Sequence, residues 1–234
     1  MRYKPWENRQ EIATIHQAYR EIVKTHRTCA QETEKYFKRE PCIDERDMDD
    51  ERVGKRAIYL VFSFAPASSM ARAIIAYTEG NFSHVAIALD ESLTNMYSFT
   101  ITRGNRFSNI EGGFSYENIR NYRLQQTLIQ VNRVWVNDIQ YDRIRQQISI
   151  MAKIKNQTAY NLKGLIRYVL KEKYETEQES MYCSEFIMHL LNGAGVEISS
   201  NGMEQISPQE LADKVKKMEG DVVYLGRAEE YGIT

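Results

Sequence analysis

The chain has 234 residues, of which 42% are apolar and 27% charged, with a formal net charge of −1. That balance suits a globular protein long enough for one full core plus an appended segment. It gives no strongly basic surface to draw in nucleic acid or an acidic membrane, so neither is expected as a partner. No apolar run approaches the ~20 residues that span a bilayer. The opening MRYKPWENRQEIATI lacks the apolar stretch of a secretory signal, so a cytoplasmic protein is expected. Three cysteines, Cys29, Cys42 and Cys183, and four scattered histidines show no CxxC spacing. This argues against a disulfide framework and a structural zinc site, and no metal or cofactor is expected.

From about Glu7 to Phe37 the apolar residues Ile12, Ile15, Tyr19, Ile22 and Val23 recur at helical spacing. Such an amphipathic helix needs a partner face, either on the main body or on another copy of the chain. Pro41 and the acidic run from Asp44 to Glu51 then read as a solvated linker. The spacing thus divides the chain into a helical extension with its linker (1–52) and a main domain (53–234).

Within that domain, Ala57 to Phe64 (AIYLVFSF) reads as a buried strand. Ser68 or Ser69 can cap a helix over Met70 to Tyr77 that Gly80 closes. Ser83 to Leu89 and Asn95 to Thr102 form an expected antiparallel hairpin. Arg103 to Ser115, with Gly104, Gly112 and Gly113, reads as a surface loop, and Gly112-Gly113 as a turn. Leu128 to Val136 returns to strand character. Asp138 caps a helix to about Lys155, and Tyr160 to Leu170 is helical. Cys183 opens a compact helix closed by Gly193 or Gly195; Pro208 starts another. Asp221 to Leu225 makes a late strand. The fold class is therefore α+β: a small, mainly antiparallel sheet flanked by helices.

Two residues carry most of the chemistry. Cys183 stands at a helix start, where unpaired N–H groups and the macrodipole favour a thiolate and can hold an oxyanion. As a lone cysteine it could equally be a small buried hydrophobe. His84 shares its strand face with Ala86 and Ala88, and these small neighbours leave room for a second group against the ring. Thiol and imidazole are the minimal pair for nucleophilic acyl transfer, and they need only be close in space. A third group usually orients the imidazole. The partner strand offers Ser98 and Thr100, the choice resting on a register that sequence cannot fix. Asp90 and Glu91 sit in the turn and are expected to point to solvent. His189, six residues after Cys183, falls near the opposite side of its helix.

FSHVAIALD, NMYSF and MYCSEFIMHLLNGAG together resemble the circularly permuted branch of the NlpC/P60 papain-like cysteine hydrolases, in particular its YiiX-like members. The likeness spans about Ile58 to Leu225 and leaves the first 50 residues outside. Permuted members place the histidine strand before the cysteine helix, as here. The resemblance implies a papain-like fold, with Cys183 as nucleophile and His84 as general base. The third polar residue would be Ser98 (Thr100 the alternative), where related enzymes carry His, Glu or Gln. It also implies a tyrosine that polarises the substrate carbonyl, Tyr160 being the better match and Tyr182 the nearer one. The expected activity is hydrolysis of a peptide or isopeptide amide, or of an ester, through a Cys183 acyl-enzyme. An acyl-lipid substrate, as in permuted relatives with acyltransferase activity, is one alternative. A papain-like binding module without catalysis is the other, and the N-terminal helix leaves self-association open.

Overall fold

A computed structural model of the chain describes residues 17, 29–38, 54–103, 111–169, 180–198, 205–218 and 220–232. Its centre is a six-stranded sheet of β1 (Lys55–Phe64), β2 (His84–Ala88), β3 (Met96–Arg103), β4 (Glu111–Glu117), β5 (Leu128–Asn137) and β8 (Asp221–Arg227). The strand order is β4-β3-β2-β1-β5-β8, and every neighbour is antiparallel. Two short strands, β6 (Ala159–Tyr160) and β7 (Ser180–Met181), form a separate parallel pair. The fold is α+β, as the alternation of apolar runs and helical periods predicts.

β1 shows why its sequence is an unbroken apolar run. It lies between β2 and β5 and is covered on both faces. Ile58, Leu60, Phe62 and Phe64 enter a large cluster on one face. Tyr59 and Val61 enter a smaller cluster on the other. The large cluster is closed by α4 (Asp138–Lys153), through Tyr141, Ile144, Ile148 and Met151, and by α6 (Cys183–Ala194), through Phe186, Ile187, Leu190 and Leu191. The smaller one is closed by α3 (Ile119–Leu124), through Ile119 and Tyr122, with Leu93 and Tyr231 beside them.

The extension is described over 29–38, where Cys29–Phe37 form α1, and at Gln17, which is helical; its other residues lie outside the described ones. α1 is docked on the main body. Phe37 is buried in the large cluster, and the rings of Tyr36 and Phe37 each meet Phe82 edge-on at 5.8 Å. The Tyr36 hydroxyl also donates to Gln130 Oε1 at 2.6 Å.

Local chemistry sets the helix ends. α2 (Ser69–Thr78) is capped by Ser68, whose hydroxyl accepts from the Ala71 N–H. α4 is capped by Asn137 and not by Asp138. The Asn137 side chain accepts from Gln140 N–H while the Gln140 side chain accepts from Asn137 N–H, a reciprocal capping box. Asp138 becomes the first helical residue, where its charge suits the dipole. α5 spans Leu162–Val169 and α7 spans Pro208–Lys217, α7 carrying Pro208 in its first turn behind a Ser207 cap.

The expected loop over 103–115 is corrected in its second half. Residues 111–117 are strand β4, which pairs with β3 from Met96↔Glu117 to Arg103↔Glu111. Gly112-Gly113 is therefore within a strand, not a turn, while 104–110 lie outside the described residues. The glycines are there because β6 crosses close by. A Cβ on Gly113 would meet Thr158 Oγ1 at 2.6 Å, and its φ of 155° lies in the region that L side chains rarely adopt. Among the described residues, no helix is long and apolar enough to cross a membrane.

Candidate active site

Cys183 is the first residue of α6, behind Tyr182 at the N-cap, and is 3% exposed. The first turn is braced from within: Glu185, itself buried, accepts from the Tyr182 N–H at 3.0 Å. Asn161 links the same carboxylate to a second helix start. Its Nδ2 donates to Glu185 Oε2 at 3.5 Å, and its Oδ1 accepts from the Gly164 N–H of α5 at 2.7 Å. Gly195, at φ 78°, ends α6 in the left-handed conformation that glycine adopts without strain.

His84 is the first residue of β2. It faces Ser63 across β1, but pairing with β3 extends only over Ile87↔Tyr97 and Ala88↔Met96. At His84 the strand is thus bonded on one side only. By strand alternation the ring lies on the smaller face, with Ala86 and Ala88. Its Nε2 is 3.1 and 3.2 Å from the two carboxylate oxygens of Glu117. Cys183 lies close enough to act on the imidazole and favour its charged form. With Nε2 engaged by the carboxylate, Nδ1 is the nitrogen left for the sulfur.

The electrostatics follow from these contacts. Burial works against a charged imidazole. The Glu117 carboxylate, then Cys183, outweigh it and hold His84 well above its ordinary 6.5. Burial likewise opposes the Glu117 charge, but the His84 cation and the hydrogen bonds from His84 and Tyr122 bring that carboxyl below 4.5. The two groups form a partly buried ion pair, with side chains 21% and 10% exposed.

Glu117 is held from its other side as well. The Tyr122 hydroxyl donates to Glu117 Oε2 at 2.5 Å. Both residues belong to one β–α corner: β4 ends at Glu117, Asn118 caps α3 through the Asn121 N–H, and Tyr122 follows in that helix. Burial, followed by the charge of Glu117, keeps the phenol well above its ordinary 10, so it remains a donor. Ser63 lies near enough to the Tyr122 phenol to lower its pKa slightly against these effects.

Tyr160 lies within electrostatic reach of the thiol. β6 pairs Tyr160 with Met181, two residues before Cys183. Burial first, and then the Cys183 charge, raise this phenol well above 10, which leaves it protonated and able to donate. Gly112 gives it room, since a Cβ there would lie 2.9 Å from Tyr160 Cβ. Tyr182 is 1% exposed, with its ring 6.5 Å from that of Tyr168.

The structure therefore brings Cys183, His84 and Tyr160 together. It does not bring Ser98 or Thr100 to the imidazole. The Ser98 hydroxyl, fully buried, donates to the Val85 carbonyl at 2.7 Å, and Thr100 lies opposite Gly113 on β4. The carboxylate at Nε2 is Glu117, 33 residues after His84, at the far end of a strand that the glycines disguise as loop. The sequence signal that could have found it is the FSYEN run, an aromatic alternation ending in an acid just before a capping asparagine. Asp90 turns into its own loop, accepting from Ser92. His189 shows only a burial-lowered pKa and no contact with the thiol. Among the described residues, no three His, Cys, Asp or Glu side chains converge as a metal site. Comparison with protein-family models, curated proteins and solved structures returned no match.

Proposed function

We propose that this chain is a thiol hydrolase of papain-like type, with Cys183 as nucleophile, His84 as general acid and base, and Glu117 as the group that orients the imidazole. The observation that carries this reading is the line Cys183–His84–Glu117, with the cysteine at the first residue of a helix. The histidine strand preceding the cysteine helix agrees with a permuted NlpC/P60 arrangement.

In this mechanism the Cys183 proton passes to His84, giving a thiolate beside an imidazolium that Glu117 stabilises. The thiolate attacks the substrate carbonyl carbon. The oxyanion that forms is met by N–H groups at the start of α6 and by the Tyr160 hydroxyl. As the tetrahedral adduct collapses, His84 gives its proton to the leaving amine or alcohol, and a thioester remains on Cys183. Water then attacks the thioester carbonyl and loses a proton to His84. The carbon–sulfur bond breaks, releasing a carboxylic acid and restoring the thiol. The substrate class is an amide or ester.

Cys183 in the full chain is expected to react with iodoacetamide at pH 6. His84→Gln slows that reaction at least ~10-fold, the scale of one lost base or charge partner. Cys183→Ala, mapped by peptide mass, identifies the site. Alkylation of Cys183 indifferent to His84→Gln contradicts the reading.

A further inference from the structure

Glu117 is held by two donors, and the catalytic scheme uses only one of them. Tyr122 donates to Oε2 at 2.5 Å, while His84 Nε2 lies 3.1 Å from Oε1 and 3.2 Å from Oε2. We infer that Tyr122 is a positioning residue: its hydroxyl fixes the Glu117 carboxylate and moderates the hold of that carboxylate on the His84 proton, with Ser63 orienting the phenol. This role rests on the hydrolase reading for its purpose, though not for its geometry.

The phenol is placed to do this by three independent features. Tyr122 is buried in the smaller cluster, with Ile119 of its own helix, so its ring cannot swing away freely. Ser63, 3% exposed, stands opposite His84 on β1 and lies near the Tyr122 phenol, on which it acts as a polar neighbour. The short β4–α3 corner keeps donor and acceptor only five residues apart. Among the described residues, the titratable groups facing this unit are His84 from β2, Glu117 from β4 and Cys183 from α6. Tyr160 from β6 faces Cys183 in turn.

The sign of the effect follows from which state the hydroxyl stabilises. A donor to a carboxylate lowers its basicity. Tyr122 matters most when His84 is neutral, because Glu117 is then a buried anion with fewer compensating partners. Removing the hydroxyl destabilises that state and raises the pH at which the His84–Glu117 pair gives up its proton. A general acid that releases its proton less readily is a poorer donor to the leaving group. Tyr122 thus tunes the pair toward proton transfer, whereas a tyrosine that merely fills space would leave the titration unchanged.

The test is an NMR titration of His84 in the full chain, in wild type, Tyr122→Phe, Glu117→Gln and the double variant. Phenylalanine keeps the ring and removes only the donor. The midpoint is expected to rise by ~0.5–1 unit in Tyr122→Phe, as loss of one hydrogen bond to a charged group implies. The same substitution has no effect in the Glu117→Gln background, since the coupling runs through the carboxylate. A midpoint that stays put or falls, or an equal rise without Glu117, overturns the proposal. Should Tyr122→Phe fail to fold, Ser63→Ala is expected to move the midpoint in the same direction by a smaller amount, and no movement overturns it. If the midpoint rises as expected while Cys183 alkylation ignores His84, the tuning stands and the hydrolase reading falls.

Discussion

On one face of the sheet, Ile58, Leu60, Phe62 and Phe64 pack against α4 and α6 in a largely apolar layer. On the other, Tyr59 and Val61 share a smaller cluster with Tyr122, and the strand alternation sets Ser63 and His84 beside them. Cys183 belongs to the first layer and His84 to the second. The pair meets where β2 has lost its β3 neighbour. The large face supplies rigidity, and the small face supplies room for polar groups that hold one another. A thiol on a well-packed helix can then meet an imidazole whose orientation is set on the other side of the sheet.

The largest stability effect should come from the apolar face. Phe186 is fully buried, with its ring 5.1 Å from Phe99 and 5.8 Å from Phe114. Phe186→Ala is expected to cost about 3–5 kcal/mol of unfolding free energy in urea titration. A loss under 1 kcal/mol would mean that α6 is not anchored as described.

The polar face should instead show itself through pH. His84 is raised in the folded state, so its contribution is complete below 6.5 and fades as pH climbs through the folded value. Glu117 is lowered, so its contribution is complete above 4.5 and fades as pH drops through the folded value. The two overlap between pH 4.5 and 6.5. Thermal melts of wild type and Glu117→Gln should therefore differ most within that window and converge above it. A gap that is constant with pH would separate Glu117 from the titration of His84.

The smallest effect sharpens the contrast between Glu117 and Ser98. The Ser98 hydroxyl ties β3 to the Val85 carbonyl and makes no hydrogen bond to the imidazole. Ser98→Ala is expected to cost about 1 kcal/mol and to leave the pH dependence of Cys183 alkylation unchanged. A shifted profile would return Ser98 to the site.

These contrasts also explain what the sequence could disclose. Cys183 was legible because a helix start imposes its own residue order, and His84 because Ala86 and Ala88 break the apolar alternation on one face only. Tyr160 entered through a family resemblance, and the β6–β7 pairing that sets it beside Cys183 is too short to leave a periodic signal. Glu117 was hidden for a physical reason. Gly112 and Gly113 admit the close approach of Thr158 and Tyr160, and in doing so erase the strand pattern that would have placed the acid on the face of His84. Alternation on the partner strand offered Ser98 and Thr100, and the family resemblance favoured Ser98, but β3 stops pairing with β2 before it reaches the level of the ring.

The central claim is that a partly buried Glu117 carboxylate sustains the charge on the His84 imidazole beside Cys183. The most direct measurement is the His84 titration midpoint by NMR in wild type and in Glu117→Gln. Wild type should titrate well above 6.5, and the variant lower by ~1–3 units, as removal of an adjacent opposite charge implies. A wild-type midpoint at or below 6.5, or one that Glu117→Gln leaves in place, would contradict the account.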